Sequence, residues 1–220
     1  MNHRTRSDGH GVLVVRNARS GSAVIRSDPA GTFAERLPAA RVHELGEGED
    51  LAEVVDAAMK TDAAPDVLGI YGGDGSVSRM AHLARQHDRP LLAMPGGTFN
   101  HFVRALGVET VDDAIDALAA GSTVEVGVVE ATADADEPVT VLNVVSIGAY
   151  PELIEERERR SSLGKWLGGA VATAVALRRA EPLTIVRGGR RARVWSVFVS
   201  VGRNDPDRVA TMQRQETDAA

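Results

Sequence analysis

Cysteine is absent from the 220-residue chain. That single absence removes disulfides, thiolate nucleophiles and thiolate metal sites. Aromatic side chains make up only 4%, too few to suggest stacking on nucleic-acid bases, and no nucleic-acid-binding motif accompanies them. Long apolar runs are also missing. The longest, Trp166 to Leu177, contains two glycines and a threonine. It is about half of the roughly twenty residues that a membrane-spanning helix needs. Met1 to His10 is polar throughout, which does not fit a secretory signal, so a cytoplasmic protein is expected. The six histidines are scattered and show no metal-ligand spacing beyond His82 and His87 on one helical stretch. What is abundant is aliphatic: 43% of residues are hydrophobic, enough for a substantial folded core. The balance of 25 basic against 31 acidic residues leaves a net charge of −6.

The first half alternates strand-like and helix-like stretches. Gly11 to Arg16, Arg41 to Leu45, Asp66 to Tyr71 and Pro90 to Met94 read as strands. Asp50 to Lys60, Ser76 to Gln86, Asn100 to Leu106 and Val111 to Ala120 read as helices, each with apolar residues at three- and four-residue spacing. Such alternation predicts a parallel sheet with helical crossovers over residues 11–121. From residue 122 the pattern turns Val-rich and partly alternating, at Val124 to Glu130, Val139 to Ile147, Leu183 to Arg187 and Arg193 to Val201. These four predict an antiparallel sheet spanning 122–205, with a helical excursion from Pro151 to Arg179 and an acidic loop at Ala131 to Pro138. Gly202 to Ala220 is polar and offers no convincing strand. The second domain is therefore expected to be incomplete or covered by a partner, with 206–220 a polar tail.

Chemistry concentrates in the βα turns. Gly72-Gly73-Asp74-Gly75-Ser76 follows a strand and opens a helix. Glycines there let a ligand approach the main chain, and a helix start favours an anion. Ser76 adds a hydroxyl and Asp74 a carboxylate, so a phosphate chain with Mg²⁺ would satisfy the loop. A plain Gly-rich turn would explain the same residues, and no lysine follows as in a Walker A loop. A second loop of like design, Pro95-Gly96-Gly97-Thr98-Phe99-Asn100-His101, lies between the next strand and helix. A third turn, Asn17-Ala18-Arg19-Ser20-Gly21, follows the first strand. Parallel strands would bring all three to one carboxyl edge, where open α/β sheets bind ligands.

In these turns the chain resembles the diacylglycerol kinase catalytic-domain family, which includes bacterial lipid kinases and sphingosine kinases. The family's G-G-D-G-T, P-x-G-T-x-N and N-P-x-S-G motifs are matched, in order, by Gly72 to Ser76, Pro95 to Asn100 and Asn17 to Gly21. A later N-x-x-S-x-G feature is matched by Asn143 to Gly148. The resemblance implies an α/β nucleotide domain similar to that of NAD kinases and phosphofructokinases, followed by an antiparallel β-sandwich domain that helps form a lipid cleft. It implies ATP and Mg²⁺ as cofactors and transfer of the γ-phosphoryl group to a lipid hydroxyl such as that of diacylglycerol. By motif match, Gly72, Gly73, Gly75, Ser76, Gly97 and Thr98 would hold phosphates, and Asn17, Ser20 and Asn100 would support the nucleotide. Asp74 would be the catalytic residue, binding Mg²⁺ directly or through water or acting as the base.

Departures from the family pattern sharpen the alternatives. Ser78 and Arg79 stand where Asn-Glu is usual, and no hydroxyl residue lies between Val42 and Glu53. No L-D-G-G-like stretch follows Val201. A truncated, non-catalytic nucleotide-binding remnant and an NAD kinase-like enzyme are the competing readings. Finally, Arg157 to Arg193 holds ten basic residues against Glu158 and Glu181. The segment is expected either to be a solvated face or to dock at the anionic inner face of a membrane. No nucleic-acid partner is expected, and an oligomer is allowed.

Overall fold

The computed structural model describes residues 7–17, 28–132, 138–148 and 181–201, and the backbone of 203–204 and 214–216. Four strands form a parallel sheet: β1 (Val12–Arg16), β2 (Arg41–Glu44), β3 (Val67–Gly72) and β4 (Leu91–Pro95), in the order β2-β1-β3-β4. The predicted α/β architecture is present, with strand boundaries within a residue of those expected. The helices between and after the strands are α1 (Ala30–Arg36), α2 (Leu51–Met59), α3 (Asp74–Gln86), α4 (His101–Ala105) and α5 (Val111–Ala120).

Both faces of the sheet are covered, which is why β1 reads as an uninterrupted Val-Leu-Val-Val run rather than an alternation. Leu13, Val15, Leu68 and Ile70 pack with Leu51 and Val55 of α2, Val77 and Met80 of α3, and Phe102 and Val103 of α4. Val12, Val14, Val67, Leu92 and Met94 face the other way, toward Phe33 and Leu37 beside α1 and Ala114, Ile115 and Leu118 of α5. Each successive residue of β1 therefore serves the opposite layer. Helix α1 has no counterpart in the sequence reading. Only Phe33 is buried within its seven residues, so its apolar periodicity is too short to register.

The two helices of the second layer are fastened at the surface by Arg36, which bonds Asp112 and Asp116 of α5. Its guanidinium is raised above its usual range, chiefly by the bond to Asp116 and then by that to Asp112. Helix α5 begins with a reciprocal cap: Thr110 Oγ1 accepts from Asp113 N–H, and Asp113 accepts from Thr110 N–H. The Thr110 and Glu109 bonds hold the Asp113 carboxyl below its ordinary value. A lowered carboxylate stabilises the fold above its unfolded value and loses that contribution as pH falls through the folded one. Thr110→Ala is thus expected to cost about 1 kcal/mol at neutral pH. Asp113→Ala should also lower the melting temperature at neutral pH. That difference should close below about pH 4, the ordinary carboxylate range, when melts are compared across pH.

The chain divides into two compact units, 1–143 with 201–220, and 144–200. The first unit also holds β5 (Val129–Ala131) and β6 (Val139–Val141), an antiparallel pair. The second holds β7 (Val144–Gly148), β8 (Leu183–Arg187), β9 (Arg190–Val194) and β10 (Ser196–Ser200). There β7 pairs with β10 and β8 with β9, all antiparallel. The antiparallel second half is as expected, but its strands are shorter and paired by twos rather than in one four-stranded sheet. The expected strand Val139 to Ile147 breaks at Leu142 and Asn143, because Leu142 is buried in the first unit's core. The expected strand Arg193 to Val201 breaks at Trp195. The tail also departs from expectation: β11 (Arg203–Asn204) and β12 (Arg214–Glu216) pair antiparallel. Their polar residues carry no alternation that could announce a strand. The helical excursion and most of the acidic loop lie outside the described residues.

Candidate nucleotide site

The order β2-β1-β3-β4 places a topological switch between β1 and β3, since the chain leaves them toward opposite edges of the sheet. Loops at the carboxyl ends of such a pair diverge and leave a crevice, where open α/β sheets bind ligands. Asn17 ends β1 at that point. Its N–H donates to Tyr71 O at 3.1 Å, and its Nδ2 donates to Ser76 Oγ at 3.0 Å. Two of the three predicted turns are thereby joined side chain to side chain. Ser20, the other candidate in the first turn, lies outside the described residues.

The Gly-rich loop after β3 is shorter than its sequence suggests. Gly72 is still strand, Gly73 is the helix cap, and Asp74 is already the first residue of α3. Gly73 supplies no side-chain cap, and first-turn N–H groups have no acceptor inside a helix. The positive end of a 13-residue helix therefore opens at the crevice, in the arrangement that favours a phosphate.

The loop after β4 lies directly on it. Gly96 N–H donates to Gly72 O at 2.9 Å, and a side chain at Gly96 would come within 2.7 Å of Gly72 N. A β-carbon at Gly97 would overlap Gly73 Cα. These glycines are required by the close approach of two backbones. At Gly75, by contrast, nothing among the described residues lies within 4 Å of where a β-carbon would stand. Open space beside the helix start is found there.

Asn100 is buried and adopts the left-handed conformation, φ +54°, which asparagine tolerates better than most residues. Both ends of its amide bond its own loop: Oδ1 accepts from Gly97 N–H at 2.8 Å, and Nδ2 donates to Gly97 O at 2.9 Å. Asn100 therefore shapes the loop. Thr98 and Phe99 stand exposed at its crest, and the Phe99 ring stacks on His101, 5.5 Å between centroids and 3° from parallel.

Asp74 joins three segments. Its Oδ1 accepts from the Phe102 N–H at the start of α4 and from Asn143 Nδ2, both at 3.1 Å. Asn143 opens the N-x-x-S-x-G motif, so that motif reaches the site through its first residue, a link that spacing alone does not reveal. The other amide atom, Asn143 Oδ1, is buried with no hydrogen-bond partner among the described residues. A half-buried carboxylate beside an unpartnered carbonyl oxygen is a hard-oxygen donor pair, which suits Mg²⁺. No group of three or more His, Asp or Glu able to hold a metal occurs among the described residues. Mg²⁺ commonly takes only one or two protein carboxylates, the rest coming from water and substrate phosphates.

The polar residues where Asn-Glu is usual have other work. Ser78 Oγ donates to Thr140 O at 2.6 Å, His82 bonds Thr140 Oγ1, and Arg85 bonds Thr140 Oγ1 and Glu130. Positions 78, 82 and 85 share one side of α3, and that stripe holds the β5–β6 hairpin against the helix. Arg79 is exposed, 3.8 Å from Asp50. His43 and His87 bond Glu49 and Asp56. Among the described residues no helix is long and apolar enough to cross a membrane.

The profile of the diacylglycerol kinase catalytic domain matches residues 11–131, more than half of the chain. Solved structures agree in fold. A diacylglycerol kinase from Bacillus anthracis str. Sterne superposes with a TM-score of 0.52 at 22% identity, over 87% of this chain and 64% of that one. Another from the same organism, described as "a putative diacylglycerol kinase", gives 0.57 at 22% identity, over 89% of this chain and 68% of that one. A further structure so described covers 87% of this chain and 64% of its own length, at 21% identity and a TM-score of 0.50. The chain thus spans just under two thirds of the length of two of these three proteins.

Proposed function

Since the chain belongs to the diacylglycerol kinase catalytic-domain family, we propose that it is an ATP-dependent lipid kinase, transferring the γ-phosphoryl group to a lipid hydroxyl such as that of diacylglycerol. The observation that carries this reading is the meeting of Asn17 and the two Gly-rich turns at the β1/β3 switch, over a helix start whose cap residue, Gly73, has no side chain, with open space at Gly75 among the described residues. The backbone N–H groups at the start of α3 and the Thr98 hydroxyl face the phosphates. Asn17 and Ser76 tie the two walls of the crevice together. Asn100 keeps the second loop in shape.

Asp74, with Asn143 beside it, holds Mg²⁺ directly or through water. Mg²⁺ bound there would supply charge neutralisation at the phosphates during transfer. The protein's part in such a reaction is positioning and fixed electrostatics. The hydrogen bonds from Phe102 N–H and Asn143 to Asp74 serve that end, because they fix one carboxylate oxygen and so aim the other. On this reading the chain works in the cytoplasm, at the inner face of a membrane, where both ATP and the lipid are available.

The test is titration calorimetry of the full chain with Mg·ATP, followed by transfer of label from γ-labelled ATP to diacylglycerol in mixed micelles, with NAD as the rival acceptor. Saturable Mg·ATP binding and labelled phosphatidate are expected. Preferential labelling of NAD would reassign the enzyme. A folded chain that binds no nucleotide would end the nucleotide-site reading.

A further inference from the structure

The β8–β9 hairpin carries the densest positive charge in the described residues. Arg187-Gly188-Gly189-Arg190-Arg191-Ala192-Arg193 places four guanidinium groups in seven residues, with no acid among them, in a chain of net charge −6. The two strands are joined by Gly188 and Gly189, at φ +55° and +75°. Two consecutive positive φ values are what a tight two-residue hairpin turn demands. The register sets Arg187 directly opposite Arg190, Val186 opposite Arg191 and Thr184 opposite Arg193. Like charges facing each other across a ladder are unfavourable.

Several arginines elsewhere are matched with acids, Arg16 with Asp28, Arg36 with Asp112 and Asp116, Arg85 with Glu130, while Arg41 and Arg89 bond backbone carbonyls. Among the described residues, none of the hairpin's four has an acidic partner. Strand alternation puts Thr184, Val186, Arg191 and Arg193 on one face, and all four are exposed. Two large apolar groups accompany the charge: Val186 is 65% exposed, and Trp195, just past the end of β9, is 56% exposed.

We propose that the β8–β9 hairpin is the surface by which this protein docks on an anionic lipid bilayer. The choice of a bilayer as occupant rests on the lipid-kinase reading above. Charge complementarity requires an anionic counter-surface. The aliphatic and indole side chains among the arginines suit an interface that is charged outside and apolar within, where tryptophan concentrates. A nucleic acid would offer the same charge, but binding to its bases uses several stacked aromatic rings, and the hairpin with its flank holds one, Trp195.

The full chain is mixed with vesicles of phosphatidylcholine, with and without phosphatidylglycerol, in the absence of nucleotide, and the bound fraction is measured by sedimentation. The parent should bind only the anionic vesicles and lose binding as salt is raised. The double variant Arg191→Gln with Arg193→Gln changes exposed positions only and should remain folded by circular dichroism. It should bind about thirtyfold more weakly, at about fivefold per residue, which corresponds to the ~1 kcal/mol of each basic residue near an anionic surface. In a Trp166→Phe background, the emission of Trp195 should shift to the blue on binding. No partitioning by the folded parent would overturn the proposal. So would undiminished binding by the double variant, or binding of single-stranded DNA by a chain that ignores vesicles. A chain that fails to bind Mg·ATP yet partitions as described would overturn the kinase reading and support the docking surface.

Discussion

Asp74→Asn is expected to lower γ-phosphoryl transfer by about 10²- to 10⁴-fold, the range for removal of a catalytic acid–base or comparable charged group, while the protein stays folded. The structure separates the two roles of this side chain. An asparagine oxygen accepts the bonds from Phe102 N–H and Asn143 Nδ2 as a carboxylate oxygen does, so the tie between α3, α4 and Asn143 survives. What disappears is the charge. That loss also removes a favourable interaction with the positive start of α3, about 0.3–1 kcal/mol, so a small drop in melting temperature should accompany the loss of activity. Nucleotide affinity gives a second readout that does not require turnover. Mg²⁺ should strengthen ATP binding to the parent and have little effect on the variant. Unchanged transfer by Asp74→Asn, or an unchanged Mg²⁺ effect, would mean that Asp74 is only a brace between helices.

The meeting of the three turns at one edge was readable in the sequence, because a parallel sheet leaves no other arrangement for turns that follow parallel strands. Which strands are neighbours was not readable. The order β2-β1-β3-β4 depends on packing between distant segments, and with it goes the crevice beside Asn17. The individual roles within the loops were hidden for a related reason. A glycine that admits a ligand and one that admits a second backbone look alike in sequence, yet Gly75 faces open space and Gly97 faces Gly73. Asn100 fits a polar ligand contact by residue type, but both ends of its amide bond Gly97. The Gly188-Gly189 pair is a hairpin signal, but Arg190, Arg191 and Arg193 interrupt the apolar pattern, so from the sequence the next strand is expected only at Arg193, whereas β9 begins at Arg190. The pull of Leu142 into the core and of Asn143 onto Asp74, which cuts the Val-rich stretch short, had no local signal at all.

The difference between Gly75 and Gly97 leads to two alanine substitutions of opposite sign. Gly75 is a helical residue of α3 with no neighbour among the described residues within 4 Å of its missing β-carbon. Gly75→Ala should therefore stabilise the protein by about 0.5–1 kcal/mol through reduced freedom of the unfolded chain. For a chain of this size that raises the melting temperature by about 1–4 °C. The same methyl group stands where a phosphate would meet the bare backbone, so Mg·ATP binding should weaken about tenfold or more. That is the loss of one charge-assisted hydrogen bond, about 1.5–3 kcal/mol. Gly97→Ala should do the reverse to the fold. Its methyl would overlap Gly73 Cα and press on Asn100 Oδ1 at 3.1 Å, so the two loops must separate at a cost of about 1–3 kcal/mol. Melting temperature and nucleotide binding should fall together. A stabilised Gly75→Ala that binds Mg·ATP as well as the parent would move the phosphates away from the start of α3. A Gly97→Ala that melts like the parent would show that the two loops do not rest on each other. The pairing of a more stable, weaker binder with a less stable, weaker binder is the outcome expected of a ligand site formed where two backbones meet but do not fill the space.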